Sequence, residues 1–478
     1  MTRTLAELAC AVGLRTQPEW REIEIRGVTE DSRRVRPGFL FVAIRGLVDD
    51  GHRHIARAVA AGAAAVAAEK DAAPAVPCLV LADGRKGLAL LAAAFFGSPT
   101  KELFTVGVTG TKGKTTVCHL VAHLLGQEKT CVMSTVANEE RGLRAVTTPS
   151  SPLIQEAARH ALDSGQTSLV LEVSSAALAL HRADCIDFDV AAFTNLTHDH
   201  LDFHRNMDEY LAAKLLLFSG LRDDACAVVN RDDPAAGKVL SAARGERLTF
   251  GLHREADLRA LSISLGARDT RCTLRFRGEE ARVRLALPGE HNVYNALAAA
   301  GVAAWRGMPL AAIADRLSTA ANVVGRYEFL EARNGASVVI DFAHSPDSLE
   351  RMLESLRPFY ARVICVFGCG GNSDRKKRPI MGRISGQLAH VTILTCDNPK
   401  AEDPVAIIDE IEEGIRPTGG AYERIPDRRC AIRRALELAS PKDVVLLAGK
   451  GHETYQIVGK EFLPYSDAEF LREEGLAR

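Results

Sequence analysis

Gly110-Thr111-Lys112-Gly113-Lys114-Thr115-Thr116 lies between an apolar run at 104–108 and a second run at 117–125 whose pattern predicts a helix. Strand, glycine turn, Lys-Thr-Thr and helix together make a phosphate cradle. The glycines let backbone N–H groups approach phosphate oxygens, and a helix N-terminus adds partial positive charge. Lys114 is placed to reach the β/γ-phosphates and the Thr115 hydroxyl to ligate Mg²⁺. The spacing is a variant of the usual P-loop, because a glycine five residues before Gly113 would fall on Val108. A glycine turn alone is often only a turn. Its Gly-Lys-Thr-Thr ending between strand and helix predicts nucleotide binding by Gly110, Thr111, Lys112, Gly113, Lys114, Thr115 and Thr116.

Outward from this loop, the length of 478 residues predicts about three domains. Hydrophobic content of 47% and charged content of 25% are ordinary for a globular chain that buries several cores. The net charge of −1 offers no basic balance for nucleic acid or an anionic membrane. The one tight basic run, 375–378, adjoins a glycine cluster and is read as a solvated loop able to touch an anion. The apolar stretch 88–96 is too short to span a bilayer, and residues 1–14 lack the features of a secretory signal. Eleven cysteines without a Cys-x-x-Cys pair suggest a reducing compartment, so the expectation is a cytoplasmic protein without membrane insertion.

Three sections follow: 1–98, 99–325 and 326–478. The first holds short strands such as 39–44 and alanine-rich helices such as 55–68. The second alternates strands (169–173, 190–195) with helices, which predicts a mostly parallel sheet covered on both faces. The third repeats that rhythm with strands at 337–341, 363–367, 391–395 and 444–448. The expected class is α/β, with a central P-loop ATPase domain, a Rossmann-like C-terminal domain and a smaller N-terminal domain. No internal repeat or low-complexity segment interrupts it.

Glu172, near a strand end, is a candidate Mg²⁺ ligand or an ordinary strand-end acid. The segment 195–204 packs three histidines and two aspartates into residues 198–204. No structural zinc spacing fits it, so a magnesium or phosphate role is preferred, with His200 the candidate. His198 and His204 stay open as surface or supporting residues. Lys214, in an otherwise apolar helical stretch at 210–218, either snorkels to solvent or is desolvated and able to take up carbon dioxide as a carbamate. In the last section the loops 341–349, 367–371, 397–400 and 449–453 each follow a strand, and together they predict one shared crevice.

In order, these blocks resemble the Mur ligases, the ATP-dependent amide-bond formers of peptidoglycan assembly. Asp31-Ser-Arg-Arg-Val-Arg-Pro-Gly-Phe-Leu-Phe-Val-Ala43 with Asp50-Gly-His52 is similar to the UDP-binding domain of the tripeptide synthetases. Thr147-Thr-Pro149, Asp199-His-Leu-Asp202, Asp397-Asn-Pro399 and Gly451-His-Glu453 are similar to the same enzymes. The resemblance implies addition of a third amino acid to UDP-N-acetylmuramoyl-L-alanyl-D-glutamate through an acyl phosphate, by a monomer using ATP, Mg²⁺ and carbon dioxide held as a lysine carbamate. It implies metal contacts from Thr115, Glu172, His200 and carbamylated Lys214, with Lys114 on phosphate. Asn292 and Asn295 would contact adenine, and Arg326 and Asp341 the rest of the nucleotide. Ser32, Thr147, Thr148, Ser174 and Arg182 would hold the UDP-sugar dipeptide. Ser373, Asp397, Asn398, Pro399, Lys400, Gly449 and Glu453 would line the amino-acid site.

Members that add meso-diaminopimelate show Asp-Asn-Pro-Arg and a further arginine two residues beyond the Cys-Gly-Gly turn. Lys400 and Ser373 stand there instead, and lysine lacks arginine's bidentate grip on a carboxylate. L-lysine or L-ornithine is therefore favoured over meso-diaminopimelate. Ala176 and Leu180 also replace residues often polar in the family. The rival readings are a Mur-like amide ligase of another pathway, such as folylpolyglutamate synthesis, and a P-loop ATPase that is not a ligase.

Overall fold

The computed structural model describes residues 1–47, 49–71, 75–199 and 203–478. Third from one edge of its nine-stranded central sheet lies Phe104–Thr109, buried at every position. Ser168–Glu172 flanks it on one side and Val190–Phe193 on the other, both parallel to it. Register positions the chemistry: Glu172 lies opposite Val108, and Phe193 opposite Thr109. The chain therefore leaves all three strands at one edge, beside the 110–116 loop.

Both faces of these strands are covered, which is why they read as continuous apolar runs. Val106, Val108 and Val170 point to the layer containing the helices Lys114–Leu125 and Glu290–Trp305. Alternating with them, Leu169, Leu171 and Phe193 pack on the opposite side with Phe218 of the helix Met207–Ser219. Truncating a fully buried side chain such as Leu171 to alanine costs about 2–5 kcal/mol. The sheet continues through Cys226–Asn230 and Glu246–Gly251 to Leu258–Leu265, still parallel; Thr270–Phe276 and Glu279–Leu285 then add antiparallel strands.

In the N-terminal section Gly27–Thr29, Phe39–Val42, Ala65–Ala68 and Cys78–Val80 form a parallel sheet. The helix expected over 55–68 is corrected here. Only Ile55–Ala60 is α-helical, and Ala65–Ala68 is a strand buried at every position. Gly62, at φ +95°, breaks the run, and Val66 then pairs with Phe41. Alanine's helix propensity is a few tenths of a kcal/mol per residue, and a buried strand slot outweighs it.

The C-terminal sheet has the order Glu328–Glu331, Ser337–Asp341, Val444–Ala448, Val363–Phe367, Val391–Leu394, Tyr422–Arg424. All neighbours are parallel except the first pair. The parallel strands end on one edge, so the loops after 341, 367, 394 and 448 share a crevice. Among the described residues no helix is long and apolar enough to cross a membrane.

Candidate active site

The glycine turn is built by close approach. Gly113 sits at φ +85° and caps the helix Lys114–Leu125, and a Cβ there would collide with Asn295 Oδ1. Lys112 N–H donates to Asn195 Oδ1 at 2.9 Å, and Asn195 Nδ2 returns a bond to Lys112 O at 3.1 Å, so the 195 loop clamps the turn. Lys112 Nζ reaches Asp199 at 2.8 Å. Lys114 is buried, with Nζ donating to Gly110 O (3.1 Å) and Thr111 O (2.9 Å). Burial lowers its ammonium pKa, and the Glu172 carboxylate works in the opposite direction.

Glu172, 3% exposed, receives a cluster of donors on one oxygen. Thr115 Oγ1 donates at 3.0 Å, Thr135 N–H at 3.0 Å and Thr135 Oγ1 at 3.2 Å. Carboxylate and hydroxyl oxygens at this distance are hard donors that suit Mg²⁺. Lys214 is fully buried, its Nζ donating to Gly110 O at 2.8 Å and lying 4.3 Å from the centre of the Tyr210 ring. Burial first, and then the Lys114 cation, hold its amine well below the ordinary lysine range. A neutral amine is the form that adds carbon dioxide. His200 lies outside the described residues.

Thr148, Ser174 and Arg182 form a second group beside Glu172. Thr148 Oγ1 donates to Glu172 O at 2.8 Å, Ser174 N–H donates to Thr148 Oγ1 at 3.0 Å, and Arg182 donates to Thr148 O at 3.0 Å. Thr147 joins through its hydroxyl, 3.3 Å from Thr135 Oγ1. Ser32 lies apart, buried in the loop after Gly27–Thr29.

Across from the phosphate turn a cavity of about 460 Å³ is lined by Lys112, Asn292, Asn295, Arg326 and Asp341. Asn295 Nδ2 donates to Asn292 Oδ1 at 3.0 Å. Arg326 lies 4.6 Å from the Phe342 ring centre, and its NH2 comes within 3.4 Å of Thr115 Oγ1. That contact sets the C-terminal sheet's loop edge against the phosphate turn. The Asp341 carboxyl is raised, chiefly by burial, against the pull of Arg326.

The loops of the C-terminal sheet converge as well. Asn398 donates to Glu453 at 2.8 Å, and Lys450 Nζ, fully buried, bonds Glu453 at 2.8 Å and Asn398 Oδ1 at 3.2 Å. Gly371 N–H donates to Asn398 O at 2.8 Å, and Gly449 N–H to Asp341 O at 3.0 Å. Ser373 Oγ donates to Gly370 O at 2.7 Å. Asp397 is buried, and Pro399 precedes Lys400, which sits at φ +52° and donates its N–H to Ile457 O at 3.0 Å.

Family models agree with this geometry. One described as the Mur ligase family catalytic domain matches residues 24–95, the Mur ligase middle domain matches 108–303, and the Mur ligase glutamate ligase domain matches 325–451. A curated UDP-N-acetylmuramoyl-L-alanyl-D-glutamate--2,6-diaminopimelate ligase of Caldanaerobacter subterraneus subsp. tengcongensis is 40% identical over 460 residues, covering 94% of this chain and 95% of that one. The chain belongs to the Mur ligase family. A ligase of the same name from Syntrophomonas wolfei is also 40% identical, over 98% of this chain and 99% of its own. A solved structure bearing that ligase name superposes with a TM-score of 0.69 at 30% identity, covering 99% of this chain and 98% of the other. The MurF ligase from Thermotoga maritima in complex with ADP shares the fold, with a TM-score of 0.64 at 21% identity over 88% of this chain and 93% of its own. As a member, this Mur ligase is an ATP-dependent amide-forming enzyme.

Sequence reading missed several residues of the cavity. His291, Tyr294, Asp232 and Arg351 line it, with Tyr294 OH donating to Asp232 at 2.9 Å. Burial, with Arg351 second, pushes the His291 imidazole down to about 4. His291 and Tyr294 lie in the Gly289–Asn295 segment and were within reach of the motif; Asp232 and Arg351 carry no local signature.

Proposed function

We propose that this Mur ligase joins a diamino acid to UDP-N-acetylmuramoyl-L-alanyl-D-glutamate through an acyl phosphate. The observation carrying the reading is the Arg326–Thr115 approach of 3.4 Å, which sets the nucleotide cradle against the C-terminal crevice. The D-glutamyl γ-carboxylate attacks the ATP γ-phosphorus, and ADP departs. The amine of the incoming residue then attacks the acyl carbon: a C–N bond forms, the C–O bond to phosphate breaks, and the nitrogen loses a proton.

Lys114 and the turn at Gly110, Thr111, Lys112, Gly113 and Thr116 orient the phosphates, and Arg326 adds positive charge where the phosphoryl transfers. Thr115 and Glu172, joined by His200 in the family pattern, would hold Mg²⁺, which supplies charge neutralisation for phosphoryl transfer. Lys214 as a carbamate would add an anionic oxygen. Asn292, Asn295 and Asp341 hold the nucleotide; Ser32, Thr147, Thr148, Ser174 and Arg182 hold the UDP-linked dipeptide. Asp397, Asn398, Pro399, Lys400, Ser373, Gly449 and Glu453 receive the amino acid. We assign these roles to three units, 1–98, 99–325 and 326–478. The cysteines, all free thiols, suit a reducing compartment, and we place the enzyme in the cytoplasm.

For the amine we favour L-lysine or L-ornithine, because Ser373 and Lys400 offer no guanidinium for a second carboxylate. The substrate named for these relatives, 2,6-diaminopimelate, points the other way. The deciding experiment measures phosphate release and amide product with the UDP-linked dipeptide and each diamino acid in turn. Strong preference for meso-diaminopimelate overturns the amine assignment; ATP turnover indifferent to dipeptide and amine overturns the ligase reading.

A further inference from the structure

We propose that Glu139 is a positioning residue for amine attack: from the central sheet's side it holds the Gly451-His-Glu453 loop closed over the reacting acyl group. The proposal rests on the acyl-phosphate reading above. Its basis is the short helix Thr135–Glu140, which connects two parts of the site.

At the helix start, Thr135 donates its N–H and hydroxyl to the same Glu172 oxygen that Thr115 uses. One turn later, on the same face, Glu139 reaches across to the C-terminal sheet. Its Oε1 accepts from Thr454 N–H and Thr454 Oγ1, both at 3.0 Å, and its Oε2 lies 3.5 Å from His452 Nε2. The Glu139 side chain is 9% exposed and that of His452 3%. A carboxylate so enclosed needs its donors, and charge-assisted bonds in that setting are the strong kind. Burial first, with Arg326 and Lys450 after it, takes the His452 imidazole down to about 3, so the ring is neutral and able to donate to Glu139.

The held loop is the one that matters for the amine. Glu453, next to His452, bonds Asn398 and Lys450 in the amino-acid crevice. His452 packs on Phe342 with ring centres 4.9 Å apart, and Phe342 lies under Arg326. Arg144, from the same stretch as Glu139, lies 5.8 Å from the ring centres of Tyr455 and Phe462. This stretch therefore grips the C-terminal sheet on its amino-acid side, while the adenine cavity is lined from elsewhere. Losing the grip leaves phosphoryl transfer intact, loosens the amine's seat and admits water to the acyl phosphate.

The test uses the full chain with Glu139→Ala, Glu139→Gln and Thr454→Val. Positional isotope exchange in ¹⁸O-labelled ATP, with the UDP-linked dipeptide and no amino acid, reads acyl-phosphate formation alone. Phosphate release against amide product, with the preferred diamino acid, reads the second step. Glu139→Ala is expected to keep exchange within about twofold of wild type while amide formation falls about tenfold to a hundredfold. KM for the amino acid should rise, KM for ATP should hold, and phosphate should appear in excess of amide. Glu139→Gln should recover part, since its carbonyl still accepts from Thr454 N–H; Thr454→Val should fall in the same direction by less. Wild-type ligation by Glu139→Ala, or equal loss of exchange and amide in all three variants, overturns the proposal. If the wild-type enzyme shows no exchange, the acyl-phosphate reading fails first and takes this proposal with it.

Discussion

Arg378 is fully buried between two loops of the C-terminal crevice. Its NH1 bonds Glu402 and Glu410, each at 2.9 Å, and its NH2 bonds Glu402 at 3.0 Å and Gly370 O at 3.2 Å. The guanidinium thus ties the 368–371 turn to the segment after Lys400. Arg378→Met removes the tie and keeps most of the volume. Breaking a buried ion pair costs about 3–5 kcal/mol when the stranded charge stays buried. Here the stranded carboxylates retain 24% and 19% of their side-chain exposure, and Arg375 still pairs with Glu410. The loss should therefore be smaller, about 2–3 kcal/mol. For a unit the size of 326–478 that is a fall of about 5–10 °C in Tm. In steady-state kinetics KM for the amino acid should rise about tenfold while KM for ATP stays within about twofold, because Arg326 and Asp341 are untouched. Adding Glu402→Gln and Glu410→Gln should recover part of the Tm, since the two stranded carboxylates are then neutral and only the exposed Arg375 loses its partner. Were Tm unchanged, or both KM values to rise together, the loop-tying role would be wrong.

Gly113→Ala forces a side chain into φ +85° and against Asn295 Oδ1, so KM for ATP should rise at least about tenfold with little change in KM for the dipeptide; unchanged ATP kinetics would count against the cradle. Lys214→Ala should abolish ligation, and short carboxylic acids added to the assay should restore part of it by supplying the missing anionic oxygen; full activity in the plain variant refutes the carbamate role. The bond from Arg378, the largest cause, holds Glu402 down to about 2 against an ordinary value of 4.5. A depressed carboxyl pKa stabilises the fold fully above the unfolded value and less as pH falls through the folded one. The stability gap between wild type and Glu402→Gln should therefore close between about pH 4.5 and pH 2 in denaturant titrations. A gap that stays constant with pH would show that the pair contributes nothing.

Much of the site was legible because it depends on residue types at fixed local spacing. Gly113 must be glycine to pass Asn295, and Lys114 and Thr115 must open a helix, so the motif and the geometry are one statement. The strands Ser337–Asp341, Val363–Phe367 and Val444–Ala448 were readable to the residue, since burial on both faces leaves an unbroken apolar run between polar ends. Residues 55–68 were misread because alanine is compatible with both helix and buried strand, and only pairing with Phe39–Val42 on one side and Cys78–Val80 on the other decides between them.

By itself the sequence determined the three-part α/β order, the glycine turn and the polar loops at the strand ends, because these follow from local spacing and from the alternation of apolar and polar residues. Long-range placement belonged to the tertiary structure. Lys214 could have snorkelled to solvent; packing against Tyr210 and the bond to Gly110 O, 104 residues away, keep its amine buried, and that burial lowers its pKa. Glu139 carries no motif at all, and it becomes a clamp only when folding brings Thr454, 315 positions distant, within hydrogen-bond reach. A desolvated amine and a contact across two sheets are properties of what surrounds a residue, and no stretch of neighbouring letters encodes those surroundings.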